Sequence, residues 1–254
     1  MKFDTLVRHL AKFRFEVTIG PIQGKRLYDF ILQQRPHDCL ELGFAHGTSS
    51  CYIAAALDEL GAGHLTSVDL EQAREWQKPS IEELLAETGL VPYVTVVRER
   101  TSYNWFLKKR IEAQTANDHC TPCYDFCFID GAKHWTIDGF AFFLVDKLLR
   151  DGGWVLFDDF HWSRRHLTCD AMDYISFLPM GQDEKDSAHI DLVFRLLVLQ
   201  HPDYVECRIE NNAWAWARKR RNSAVVVKTL VMQERTLRER LQGALLRRRH
   251  GLAR

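Results

Sequence analysis

No apolar run in this 254-residue chain approaches the roughly 20 residues of a membrane-spanning helix. The start, MKFDTLVRHLAKFRFEV, is broken by charge throughout and lacks the apolar core of a signal peptide. These absences predict a cytoplasmic protein with no transmembrane segment. Cysteine is scarce and odd in number, seven in all, and Cys39, Cys51 and Cys127 sit inside apolar runs. That excludes a fully paired disulfide framework and predicts buried free thiols. No repeat recurs along the chain, and no linker divides it in two. Net charge is absent as well, with 34 Lys and Arg against 34 Asp and Glu.

The zero hides an asymmetry. From Lys219 to Arg254 there are eleven Lys and Arg against two Glu, so the rest of the chain carries a matching acidic excess. Such a tail can meet an acidic surface, a membrane or nucleic acid. Its stripe of Val226, Leu230, Leu237, Leu241 and Leu245 reads as an amphipathic helix over Val226–Arg249, packing on the acidic body or on a second subunit. The expected organisation is N-terminal helices over 1–36, one catalytic domain over 37–218, and the basic tail over 219–254.

The body alternates strand and helix. Helices are expected over 3–16 and 21–34, the second opened by Pro21. Strands follow at Cys39–Leu42, Leu65–Val68, Val94–Val97, Phe126–Ile129 and Trp154–Phe157. Helices fall between them at Thr48–Leu60, Ser80–Glu87, Trp105–Gln114 and Ile137–Leu149, and Gly152-Gly153 is expected to stop the last. Thr115–Pro122 reads as a loop. After Trp162, helices around Leu167–Phe177 and Ala188–Leu199 precede two strands, Tyr204–Ile209 and Ala213–Ala217, joined by a left-handed Asn211-Asn212 turn. This is an α/β chain with a doubly wound, mostly parallel seven-stranded sheet and an antiparallel C-terminal hairpin.

Chemistry gathers at the strand ends. Phe126–Ile129 closes on Asp130, and Trp154–Phe157 closes on Asp158 and Asp159. In open α/β sheets the ligand crevice lies outside the carboxyl ends of the strands, so three carboxylates should meet there. They repel unless a cation or protons offset the charge. The first βα turn reads Glu41-Leu42-Gly43-Phe44-Ala45-His46-Gly47-Thr48-Ser49. Its glycines allow a ligand close to the backbone, and the helix behind it offers free N–H groups. The spacing departs from the G-x-G-x-x-G of a pyrophosphate cradle. Asp69, ending the second strand, can accept both hydroxyls of a ribose or simply cap a helix.

ELGFAHGTS, SVDL, FIDGAKHW and LLRDGGWVLFDD, in that order over residues 37–162, resemble the class I S-adenosylmethionine-dependent methyltransferases with a Rossmann-like fold. Within that class they are similar to the metal-dependent small-molecule O-methyltransferases of the catechol type and of the bacterial sugar and macrolide group. The resemblance implies that Glu41, Gly43, Phe44, Ala45, Gly47 and Ser49 line the methionine end of the cofactor. It implies that Asp69 holds the ribose and that Thr101, Ser102 and Tyr103 lie by the adenine. Asp130, Asp158 and Asp159 match the ligands of Mg2+ or Mn2+, with Asp130 also beside the cofactor. The catechol type carries Asn where Asp159 stands. Lys133 occupies the place of the catechol-type catalytic lysine, and the sugar group places a histidine there. Lys133, His134 and His161 therefore stand as alternative proton acceptors. Trp135, Phe160 and Trp162 are expected to wall the acceptor pocket.

A sulfonium methyl donor is already activated, so such an enzyme has to align donor and acceptor and remove a hydroxyl proton. Two other readings stay open: a cofactor-binding or partner-binding protein without turnover, and a nucleic-acid methyltransferase. The acidic body and the absence of an N-P-P-Y-type motif after the fourth strand speak against nucleic acid. His119, Cys120 and Cys123 have part of a zinc spacing, but Cys127 falls in a buried strand and no second pair completes the set. A homodimer is a further expectation.

Overall fold

The computed structural model describes residues 1–13, 19–166, 180–220 and 231–233. Helix α1 spans Phe3–Leu10 and α2 spans Pro21–Gln34, with Pro21 at its first turn and Arg35 left-handed at its end. Next come β1 (Asp38–Leu42), α3 (Thr48–Leu60), β2 (His64–Leu70), α4 (Ile81–Thr88), β3 (Val94–Glu99) and α5 (Tyr103–Gln114). A two-stranded ribbon, β4 (Thr115–Ala116) and β5 (His119–Cys120), stands where a loop was expected. Then follow β6 (Tyr124–Ile129), α6 (Trp135–Leu148), β7 (Leu149–Phe157), α7 (Gln182–Asp186), α8 (His189–Val193), β8 (Tyr204–Glu210), β9 (Trp214–Lys219) and β10 (Val231–Gln233).

The main sheet has the order β10-β8-β9-β7-β6-β1-β2-β3. Strands β1, β2, β3, β6 and β7 run parallel, and β9 is antiparallel to both β7 and β8. The seven expected strands are all present, and β10 adds an eighth at the β8 edge. Chain order reverses on either side of β1, which makes the β1/β6 junction the switch point where such sheets take ligands.

Both faces of the sheet are covered. On one side Leu6, Leu27, Ile53, Leu57 and Leu84 from α1 to α4 pack on Cys39, Phe126 and Trp216. On the other, Leu107, Phe142, Val145 and Val193 pack on Leu42, Ile129 and Phe157. Each of these large side chains contributes on the order of 1.5–3 kcal/mol by leaving water. Asn211 and Asn212 both have positive φ, and Ala213 N–H donates to Glu210 C=O, so β8 and β9 are joined by three residues with the left-handed Asn211-Asn212 pair that the sequence implied.

Four boundaries differ from expectation. Helix α1 stops at Leu10 rather than 16. Helix α5 begins two residues early, because the Ser102 hydroxyl accepts from Asn104 N–H and caps it. Helix α6 ends at Leu148, and β7 runs straight through Gly152-Gly153. The glycines serve an irregularity in the β6–β7 register: Gly152 has φ +82, and a Cβ on Gly153 would meet Arg150 C=O at 2.9 Å. In the tail, Val231–Gln233 pair with Arg208–Glu210 as a strand, overturning the helix expected across them. An open sheet edge offers backbone partners that a marginal helical stripe does not. The rest of the expected tail helix, and all of the helix expected at Leu167–Phe177, lie outside the described residues.

Candidate active site

Strand register sets the site. Ile129 of β6 pairs with Phe157 of β7, so Asp130 and Asp158 leave neighbouring strands at one level. Asp130 N–H donates to Leu42 C=O and Asp158 N–H to Ile129 C=O, which extends the ladder by one residue on each strand. Asp159 then turns left-handed, with φ +54. One carboxylate oxygen from each of Asp130, Asp158 and Asp159 lies within 4.8 Å of the others. Among the described residues this is the one group of three or more His, Cys, Asp or Glu that converges in this way. The Cys120-x-x-Cys123 pair gathers no further ligands, and Cys127 is fully buried in β6.

Lys133 closes the cluster. Its φ is +53, and its Nζ donates to Asp130 Oδ1 and lies 3.4 Å from Asp159 Oδ2. Burial pushes the Asp130 carboxyl well above the ordinary range; the Lys133 charge opposes that rise, and Asp158 and Asp159 add to it. Burial also raises Asp158, again against Lys133. For Lys133 burial alone would favour the neutral amine, but the fields of Asp130, Asp159 and Asp158 outweigh it and hold the proton on. One ammonium thus faces three carboxylates and leaves them under-compensated.

The residues predicted around Lys133 divide. His134 is buried and caps α6: its Nδ1 accepts from Thr136 N–H at 3.3 Å. That gives it a part in capping the helix. His161 faces Asp191 of α8, with Nδ1 3.9 Å from Oδ2, and its ring packs on Phe160. Phe160 is fully buried against Phe194 and belongs to the core, not to a pocket wall. Trp162 lies half open under the Arg164 guanidinium. Trp135 lines a cavity of about 270 Å³ with His134, His189, Leu192 and Leu196. Trp135 N–H donates to His189 Nδ1 at 3.0 Å, so the ring proton of His189 sits on Nε2, which donates to Glu184 C=O.

The first βα turn is held from two directions. Glu41 is fully buried beneath it and accepts from the Ser67 and Ser50 hydroxyls. Burial raises its pKa, and Ser49, Ser50 and Ser67 hold the rise down. Glu41 therefore braces the turn from beneath through Ser50 of α3 and Ser67 of β2. Asp69 Oδ2 accepts from Phe44 N–H at 3.2 Å, Ala45 N–H at 2.9 Å and the Gln77 amide at 3.1 Å. Ala45 is left-handed, and Phe44 turns its ring inward under the Arg98 guanidinium. Gly43 and Gly47 have φ of +87 and +94. A Cβ on Gly43 would lie 2.4 Å from Asp130 C=O, so this glycine lets β1 and β6 come together where the site opens. No side chain caps the first turn of α3, so its N–H groups face the turn with the positive end of the helix dipole. Thr101 is exposed, and Ser102 caps α5.

Sequence reasoning missed Gln77, Tyr103 as a bonding group, Asp138 and Arg164. Tyr103 donates to Asp138 Oδ1, and Asp138 Oδ2 accepts from His134 N–H at 2.7 Å. Asp138, four residues beyond its helix cap, carried a signal of the capping-box kind. Nothing in the sequence marks Gln77 or Arg164.

A family model described as "Methyltransferase domain" matches residues 40–160, a little under half of the chain. Over that stretch the chain is similar to a methyltransferase domain, in line with the resemblance its motifs carry. Solved structures share the fold along most of their length. An O-methyltransferase from Bacillus cereus, in complex with SAH, is 17% identical at a TM-score of 0.58, covering 86% of this chain and 90% of that one. TomG from Streptomyces achromogenes, an O-methyltransferase of tomaymycin synthesis in complex with SAM, is 19% identical at 0.55 over 86% and 89%. The SAH-bound methyltransferase PaMTH1 of Podospora anserina is 16% identical at 0.59 over 86% and 88%. No protein of curated function matches the sequence. At these identities the solved structures speak for the fold. No described helix is long and apolar enough to cross a membrane.

Proposed function

We propose that this chain transfers the methyl group of S-adenosylmethionine to a hydroxyl of a small molecule with the help of a divalent cation, Mg2+ or Mn2+. The observation that carries the reading is the convergence of Asp130, Asp158 and Asp159 at the carboxyl end of β6 and β7, beside the uncapped N-terminus of α3. The donor set is all oxygen and under-compensated by Lys133, which fits a hard dication. Such an ion would polarise the acceptor oxygen and fix its position. The first turn of α3, with the positive end of the helix dipole, fits the methionine carboxylate of the cofactor. Asp69, bound to the turn through Oδ2 and to Leu70 N–H at 2.7 Å through Oδ1, keeps a second lone pair on Oδ1 for a ribose hydroxyl. Lys133 Nζ is the described amine nearest the carboxylates; a dication there would offset the fields that hold its proton on, and the amine so freed is the group we assign to the acceptor's proton. His134, committed to its helix, is the weaker alternative.

Incubation with S-adenosylmethionine, Mg2+ and pools of hydroxylated metabolites tests this by mass spectrometry of the products. A methylated product that vanishes in excess EDTA supports the reading. One observation favours a second: Lys133 already bridges Asp130 and Asp159, as an internal cation could in a metal-independent enzyme. Full turnover in EDTA would select that alternative. The six described cysteines are free, which supports a reducing, cytoplasmic compartment. Phe140 and Phe143, exposed on α6, support a homodimer, which sedimentation velocity would reveal.

A further inference from the structure

The tetrapeptide Gly131-Ala132-Lys133-His134 is pinned at three backbone groups by three buried side chains. Tyr103 Oη accepts from Ala132 N–H at 3.3 Å, Arg164 Nη2 donates to Ala132 C=O at 3.0 Å, and Asp138 Oδ2 accepts from His134 N–H at 2.7 Å. Tyr103 and Asp138 also bond to each other. Tyr103, Asp138 and Arg164 are all less than a tenth exposed. The Tyr103 ring fills the space a side chain on residue 131 would take, since a Cβ there would lie 2.3 Å from it. Between the pinned groups sits Lys133 at φ +53, a conformation that a lysine keeps only when its neighbours over-determine it. The geometry points to Tyr103, Asp138 and Arg164 as positioning residues: together they hold the Lys133 backbone left-handed, and that turn carries its amine onto Asp130 and Asp159. Tyr103 opens α5 directly after Thr101-Ser102, so the same hydroxyl ties the loop assigned to the adenine to the loop that carries the amine. The functional meaning rests on the proposed role of Lys133; the positioning itself does not.

Acylation of the full chain with sulfosuccinimidyl acetate, read lysine by lysine by peptide mass spectrometry, needs neither acceptor nor metal. Tyr103→Phe removes the hydroxyl and leaves the ring. It is expected to speed acylation of Lys133 by about tenfold, the population shift that loss of one hydrogen bond to a charged partner gives. Lys147, in the last turn of α6, should not change. Arg164→Met should act in the same direction and carries the test if Tyr103→Phe does not fold. Unchanged Lys133 labelling in the folded Tyr103→Phe and Arg164→Met variants overturns the inference, and so does an equal rise at every lysine. Mn2+ titration of the unaltered chain, run in parallel, judges the metal separately. A chain that binds no Mn2+ while Tyr103→Phe still exposes Lys133 sinks the metal reading and leaves the positioning network standing.

Discussion

The ammonium of Lys133 is shared between Asp130, which follows β6, and Asp159, which lies beyond β7, so one side chain ties together two strand ends. A dication at the same carboxylates has to compete with it. Lys133→Met is expected to tighten Mn2+ binding by about tenfold or more, since a unit charge some 4 Å away acts by roughly 4 kcal/mol at an effective dielectric of 20. Asp158→Asn should weaken binding by a similar factor. Electron paramagnetic resonance of free Mn2+ reads both. Equal affinity in Lys133→Met would mean that amine and ion do not meet.

Asp69→Ala should weaken S-adenosylmethionine binding by about 1–3 kcal/mol through loss of a charged acceptor, measured by calorimetry. The bonds from Phe44 and Ala45 add a second expectation. The substitution should also lower the melting temperature without ligand, because two turn amides lose their partner. A stability loss with unchanged affinity would confine Asp69 to the turn.

Glu41 gives a pH signature. Its folded pKa is raised by burial, so the native state holds this proton more tightly than the unfolded chain does. Stability from this group is therefore greatest below the unfolded carboxyl value and falls as pH rises through the window up to the folded value. Glu41→Gln keeps an acceptor for Ser50 and Ser67 without the charge. It should melt a few degrees higher than the unaltered chain near neutral pH, and the gap should close as acid protonates Glu41. A gap independent of pH would show that burial of charge is not the cause.

Gly43→Ala should cost about 1–3 kcal/mol from positive φ alone, and more from the approach to Asp130 C=O. Urea unfolding measures it. Gly61→Ala shares the positive φ but has open space around the new Cβ, so it should cost less. Equal losses would place the whole effect in backbone strain.

Much of this was legible in the chain. Apolar runs ending in aspartate located β6 and β7, and the Asn211-Asn212 pair located the last hairpin, because both signals are local. Asp130, Asp158 and Asp159 were readable as a cluster once the strands were paired. What escaped were relations across distance. That Glu41 points into the sheet follows from Ser50 and Ser67 on two other elements. That His134 caps a helix follows from where α6 starts, which its apolar pattern blurred by two residues. Arg164 reaches Ala132 from a segment with no periodicity at all. The strand at Val231–Gln233 lay within a pattern that suits a helix equally well, and only the open side of β8 decides between them.

That short strand has a practical consequence for anyone trimming the protein. A chain cut after Lys219 keeps Lys133, Asp130, Asp158 and Asp159 but strips the outer flank of β8. Arg208–Glu210 would then present unpaired backbone donors and acceptors to solvent, a template on which another molecule can zip. Such a shortened protein should fold and then self-associate with concentration, whereas one ending beyond Gln233 should stay dispersed. Three residues far from the chemistry would thus act as a guard rail for solubility.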